Sequence, residues 1–157
     1  MATEKWIAGS LQGLTWGSAG FSTEVNSLVN GNAVIAATQL DNSTALDIFA
    51  DLSVVLGSIT TGSGAPYLGF YLYPLNEDGS TYGDGRFGSS AAGPPPSLYR
   101  VGAIMLPAST TATLKGAIRG IVLPPGRFKF LLYNQAGATL AASSNTIDYR
   151  TYNRAVA

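Results

Sequence analysis

Hydrophobic and polar positions in this chain recur mainly with a period of two, the spacing of strands. Residues 45–56 carry it most clearly. Leu46, Ile48, Ala50, Leu52, Val54 and Leu56 fall on one face, with Asp47, Asp51 and Ser53 on the other. That predicts a strand with one wet face. Leu46, Phe49, Leu52, Leu56 and Ile59 also fit a helix, with Thr44 and Asp47 as its capping box. The unbroken alternation and the β-rich neighbours favour the strand. Between Pro66 and Pro74 the alternation returns, with Leu68, Phe70 and Leu72 expected inward and Tyr67, Tyr71 and Tyr73 opposite. Val25–Val29 and Ala33–Leu40 read as strands around the turn Asn30-Gly31-Asn32. Leu98–Leu106, Thr111–Val122, Phe128–Tyr133 and a run through Leu140 and Ile147 to Tyr152 complete the set. In Thr111–Val122, Leu114, Ile118 and Gly120 alternate with Lys115, Arg119 and Ile121. In Phe128–Tyr133, Arg127 and Lys129 alternate with the large apolar side chains. Basic faces on these strands and an acidic one on 45–56 suit cross-strand pairing, which helps set strand order.

About eight strands with turn signals between them, no βαβ pattern and no internal repeat predict an all-β fold. The expected architecture is an antiparallel two-sheet sandwich, an eight-stranded jelly roll, over residues 23–157. Residues 1–22 stand apart. They are rich in Gly, Ser and Thr yet hold Trp6, Ile7, Leu11, Leu14, Trp16 and Phe21, including both tryptophans of the chain. Two readings of this stretch stay open. It packs on its own domain as an irregular first strand, or it is an extended arm that buries its aromatics on another chain. The expectation adopted is the second, residues 1–22 as an extended N-terminal arm, with Trp6, Leu11, Leu14, Trp16 and Phe21 as its anchors. Residues 76–97 form the longest irregular stretch, ending in Pro94-Pro95-Pro96. Loops of that length are often functional, and Tyr82, Arg86 and Phe87 are a second contact candidate.

Composition narrows the chemistry. The 157 residues contain no Cys and no His. Disulfides, thiolate or imidazole metal sites and a His-dependent triad are therefore excluded. Charged residues make up 11% of the chain, against about 25% in an average protein. The net charge is zero, but residues 1–99 hold eight acidic and two basic side chains, and residues 100–157 hold seven basic and one acidic. Interleaved strands would pair these charges locally; otherwise they make a polar surface that orients the protein on a partner. No basic patch points to nucleic acid. No apolar run reaches membrane-span length, and Met-Ala-Thr-Glu-Lys-Trp does not read as a secretory signal. A soluble protein made in a cytoplasm is expected. The Gly79–Gly88 loop with Asp78 and Asp84 lacks EF-hand spacing. Asp47 and Asp51 sit on an expected wet face, too exposed for a shifted pKa or for acid–base work on a glycoside. Tyr67, Tyr71 and Tyr73 could form a sugar-stacking platform. No catalytic residue, metal site or cofactor is expected.

Two stretches carry a family resemblance: YLYPLNEDGSTYGDG and, after a Gly/Pro-rich insert, LPPGRFKFLLYNQAGATLAASSNTIDYRTYN. Across residues 66–152 the order of strands and turns resembles small virion proteins of tailed bacteriophages. It is similar in particular to capsid decoration, or cement, proteins with a jelly-roll domain. The resemblance implies a non-enzymatic protein on the outer face of a capsid, made in the host cytoplasm, that cements neighbouring capsomers. Its partners would be the major capsid protein and neighbouring copies of itself, with no nucleic acid or membrane. No family binding residue carries over position by position. The alternatives are a carbohydrate-binding β-sandwich module using the Tyr67/Tyr71/Tyr73 face, and a tail or head-fibre component.

Overall fold

Alternation of apolar side chains becomes strand structure over most of the chain. A computed structural model describes residues 4–82 and 91–156. The strands are β1 (Glu4–Ala8), β2 (Gly17–Ser18), β3 (Asn32–Ile35), β4 (Leu40–Asp41), β5 (Phe49–Thr60), β6 (Tyr67–Pro74), β7 (Ala91–Ala92), β8 (Arg100–Met105), β9 (Thr111–Val122), β10 (Arg127–Gln135) and β11 (Thr146–Val156). A single 3-10 turn, Ser97–Tyr99, precedes β8. All pairings are antiparallel. The first sheet runs β1-β11-β5-β9, with β2 beside β1 on the same edge of β11; the second runs β7-β3-β10-β6-β8, with β4 also on β10.

The two sheets pack face to face as a β-sandwich, as the sequence pattern predicts. Ala50, Leu52, Val54 and Leu56 of β5, with Leu114, Ile118, Ile121, Ile147 and Tyr149, meet Leu68, Phe70, Leu72, Phe128, Phe130 and Leu132 in one core. Numbered in chain order, the eight strands of four or more residues pair as 1-8-3-6 in one sheet and 2-7-4-5 in the other. Consecutive strands therefore often lie in opposite sheets, which brings early and late segments together. The charge asymmetry of the sequence is resolved this way. The ion pairs Arg119–Asp51, Arg150–Asp51, Arg127–Asp41 and Arg154–Glu4 each join a base from the last third to an acid from the first.

Several expectations change. The strand expected at 45–56 is Phe49–Thr60; Leu46 has φ 51° and is exposed, as is Ile48. Asn42 causes the shift. Its buried side chain accepts the Asp47 N–H and donates to the Asp47 and Pro124 carbonyls, holding 42–47 as a loop. Val25–Val29 is a turn, not a strand: Ser27 has φ 56°, and Val25 and Leu28 reach the core from it. The extended arm expected over residues 1–22 is corrected for residues 4–18, which join the sandwich as an irregular edge strand. Glu4–Ala8 pairs with Tyr152–Val156, and Gly17–Ser18 with Asp148–Tyr149.

That edge is fastened by one buried carboxylate. Asp47 accepts the Ser10 N–H at 2.7 Å, the Leu11 N–H at 2.6 Å and the Asn153 side-chain amide at 2.9 Å. Beside it the Thr151 hydroxyl accepts the Gln12 and Gly13 N–H groups. Burial alone would raise the Asp47 pKa, but these hydrogen bonds prevail and the net direction is down. Asp47 is thus neither on a strand nor wet, which corrects the sequence reading.

Candidate functional site

The outer face of the first sheet gathers both tryptophans of the chain around a second buried carboxylate. With Ala50 and Leu52 in the core, Phe49 and Asp51 take the outer face of β5. Pairing with β11 sets Arg150 opposite Asp51 and Tyr152 opposite Phe49. Pairing of β11 with β1 sets Trp6 opposite Arg154. Toward β9 the register slips: Ala50 faces Ile121 and Leu52 faces Ile118, so Asp51 alone confronts both Arg119 and Gly120. This is a β-bulge, made at Gly120 with φ 70°. The bulge lets Leu114, Ile118 and Ile121 all reach the core. It also turns the Gly120 N–H and the Arg119 side chain toward one carboxylate.

Asp51 accepts hydrogen bonds from Arg119 Nη1 at 2.7 Å, the Gly120 N–H at 3.1 Å, Arg150 Nε at 3.1 Å and Nη2 at 3.0 Å, and the Tyr152 hydroxyl at 3.2 Å. Its side chain is only 6% exposed. Burial pushes its pKa up; the bonds from Arg119, Gly120 and Arg150 outweigh that and hold it down. Burial, then the Asp51 charge, pushes the Tyr152 hydroxyl up. The wet-face expectation for Asp51 is therefore also corrected, because two arginines and the bulge close over it.

Aromatic rings frame this network. The Trp16 ring lies 4.8 Å from the Arg150 guanidinium and 5.5 Å from that of Arg119, within cation–π range of both. Trp6 meets Phe49 at 5.6 Å and Tyr152 at 5.2 Å, edge to face. Arg154 lies 5.7 Å from the Trp6 ring and pairs with Glu4. Between them is a hollow of about 370 Å³ lined by Trp6, Leu14, Asp51, Arg119, Arg150 and Tyr152. Trp6, Leu14 and Trp16 remain 61%, 53% and 40% exposed.

The expected contact residues divide accordingly. Trp6, Leu14 and Trp16 come together on this face. Leu11 packs against the core and Phe21 is buried within it, so neither is an anchor for a partner; Phe21 follows the Gly17–Ser18 pairing inward. Tyr82 lies on the opposite side of the molecule, half-buried, with its hydroxyl on Gln39 and Lys129 5.2 Å from its ring. Arg86 and Phe87 lie outside the described residues. The sequence reading missed Asp51, Arg119, Arg150 and Tyr152 as a group. The available signal was the break in alternation between Ile118 and Ile121, with a glycine inside it.

Of the other candidates, Asp84 of the Gly-rich loop lies outside the described residues. Tyr71 and Tyr73 are buried beneath Tyr82 and Tyr99, and Tyr67 is half-buried, so these three tyrosines do not form an open platform. Asp78 caps its own turn, accepting from Ser80, Thr81 and the Thr81 hydroxyl; this holds its pKa down at about 2. Among the described residues there is no cluster of acidic side chains able to hold a metal ion, and no helix long and apolar enough to cross a membrane. Comparison with known protein families, with curated proteins and with solved structures finds no match to this chain.

Proposed function

We propose that this chain is a non-enzymatic structural protein of a virion that docks on the outer surface of a tailed-phage capsid. It stabilises the shell by bridging neighbouring capsomers, with the major capsid protein and adjacent copies of itself as partners. One observation carries the reading. Trp6, Leu14 and Trp16 stand exposed around an arginine pair on a sheet, Trp6 and Leu14 lining the hollow with the arginines and Trp16 within cation–π range of both guanidinium groups. Tryptophan, tyrosine and arginine dominate the binding energy of protein interfaces, and a monomer rarely leaves such a patch to water. The strand order 1-8-3-6 against 2-7-4-5 supports the jelly-roll winding of the family it resembles. The arrangement suits docking better than catalysis, since both buried aspartates of the first sheet's network are saturated with donors. Many copies on one shell turn a modest affinity per site into lasting occupancy. A binder that recognises only the assembled surface shifts the equilibrium toward that state.

Quantitative mass spectrometry of purified virions tests the reading. A copy number in the hundreds, in simple ratio to the major capsid protein, is expected. A handful of copies would move the protein to a tail or head fibre, and absence would end the virion reading. Trp6→Ala with Trp16→Ala should abolish co-sedimentation with shells while leaving the fold intact. Deletion of residues 1–20 is a poorer test, because it strips Asp47 and Thr151 of their partners and removes Ala19 from the core.

A further inference from the structure

We propose that the hollow lined by Trp6, Leu14, Arg119 and Arg150 receives a carboxylate side chain, an aspartate or glutamate, borne on a surface segment of the capsid subunit. This inference rests on the docking reading above and names the chemistry of the partner. The hollow holds two guanidinium groups and one carboxylate. Arg150 gives Nε and Nη2 to Asp51, and Arg119 gives only Nη1. The remaining guanidinium donors have no protein acceptor among the described residues, and the Arg119 side chain is 56% exposed. Asp148, also on the outer face of β11 and two residues from Arg150, makes no ion pair with either arginine among the described residues. The site thus carries one positive charge in excess, walled by apolar rings.

Its geometry is set before any partner arrives. Asp51 fixes both guanidinium groups from below and the Trp16 ring flanks them. Little side-chain freedom is left to lose on binding. An entering carboxylate would accept from the free donors of Arg119 and Arg150 in the fork geometry that arginine offers. It would complete a two-to-two charge balance. Its methylene stem, and an apolar neighbour on the same segment, would lie against Trp6 and Leu14. A purely apolar segment would leave the excess charge desolvated and unpaired, which is unfavourable.

Co-sedimentation with purified shells, native or with surface carboxylates amidated by carbodiimide and glycinamide, tests this with the unaltered protein. Native shells should bind, and amidated shells should bind about tenfold more weakly or worse, as expected when one member of a desolvated charge pair is removed. Arg119→Gln should weaken binding to native shells similarly. Arg119→Lys should restore part of it, and Lys115→Gln, on the same strand but outside the hollow, should leave it unchanged. Equal binding to native and amidated shells would overturn the carboxylate assignment while keeping the docking reading. A Lys115→Gln loss equal to that of Arg119→Gln would also overturn it, by showing diffuse electrostatics. No binding to native shells would overturn the docking reading and this inference with it.

Discussion

The two outer faces of the sandwich have similar side chains and opposite fates. On the second sheet, Tyr71, Tyr73 and Tyr133 point away from the main core, yet all are buried. Tyr82 and Tyr99, brought back by the long excursion between β6 and β8, close over them into a second hydrophobic cluster. The Tyr73 and Tyr99 rings lie 4.5 Å apart. On the first sheet, Trp6, Trp16, Phe49 and Tyr152 form a comparable aromatic set, but no segment among the described residues returns over them. A buried carboxylate marks the difference. The covered face has cations over its outer rings, Lys129 on Tyr82 and Arg100 on Tyr67, whereas the open face carries buried Asp51 with Arg119 and Arg150 among its rings. An aromatic strand face becomes core or stays open to solvent according to which loop covers it.

The comparison breaks most sharply in stability. Tyr73→Ala should cost about 3–5 kcal/mol, the range for truncating a buried aromatic, read as a lowered denaturant midpoint. Trp6→Ala should cost only about 1 kcal/mol, since its ring contacts are edge contacts on an exposed face. Equal losses would mean that the first face is core as well. Next in size is the fastening of the open face. Asp47→Ala orphans the Ser10 and Leu11 N–H groups and the Asn153 amide. It should cost about 2–4 kcal/mol, with faster amide exchange concentrated in residues 4–18.

Acid should act on both sheets: the exposed Asp41 of the second is held down at about 2 by Ser43 and Arg127, and two buried carboxylates act at the first. Asp47 and Asp51 both have native pKa values held below the ordinary 3.8. Their stabilisation is present above that value and is lost as pH falls through the lowered native values. Stability should therefore hold to about pH 4 and then decline, and Asp51→Asn should flatten that decline. Asp148 acts with the opposite sign: burial raises its pKa, so its ionised form opposes folding at neutral pH. Asp148→Asn should raise the neutral-pH midpoint in thermal unfolding.

Much of the fold was readable from the chain because alternation reports directly on burial. Leu68, Phe70 and Leu72, or Phe128, Phe130 and Leu132, entered the core as their spacing predicts. The site was less readable, for two physical reasons. Alternation says which side chains share a face, not whether a distant segment covers it, and so Tyr71 and Tyr73 were read as exposed. Capture of Asp47 by Asn42, and of Asp51 by two arginines from strands far along the chain, depends on strand order. Local spacing does not report that order. Charge pairing between β5 and β9 was legible in kind; that it converged on one carboxylate was not.

The smallest expected effect tests how the open face was built. Gly120 has φ 70°, a left-handed conformation that costs an L-residue about 1 kcal/mol or slightly more. An added Cβ there meets only the Tyr152 hydroxyl, at 3.9 Å, so Gly120→Ala should cost that backbone strain and little else. Asparagine tolerates the same conformation better, and Gly120→Asn should recover part of the loss. If the bulge alone sets Arg119 against Asp51, the alanine variant should weaken shell binding more than its small stability cost suggests, with Gly120→Asn intermediate. Among the described residues the covered face carries no such bulge beside a buried carboxylate. Unchanged binding by Gly120→Ala would mean that Arg150 and Trp16 hold Arg119 in place without it.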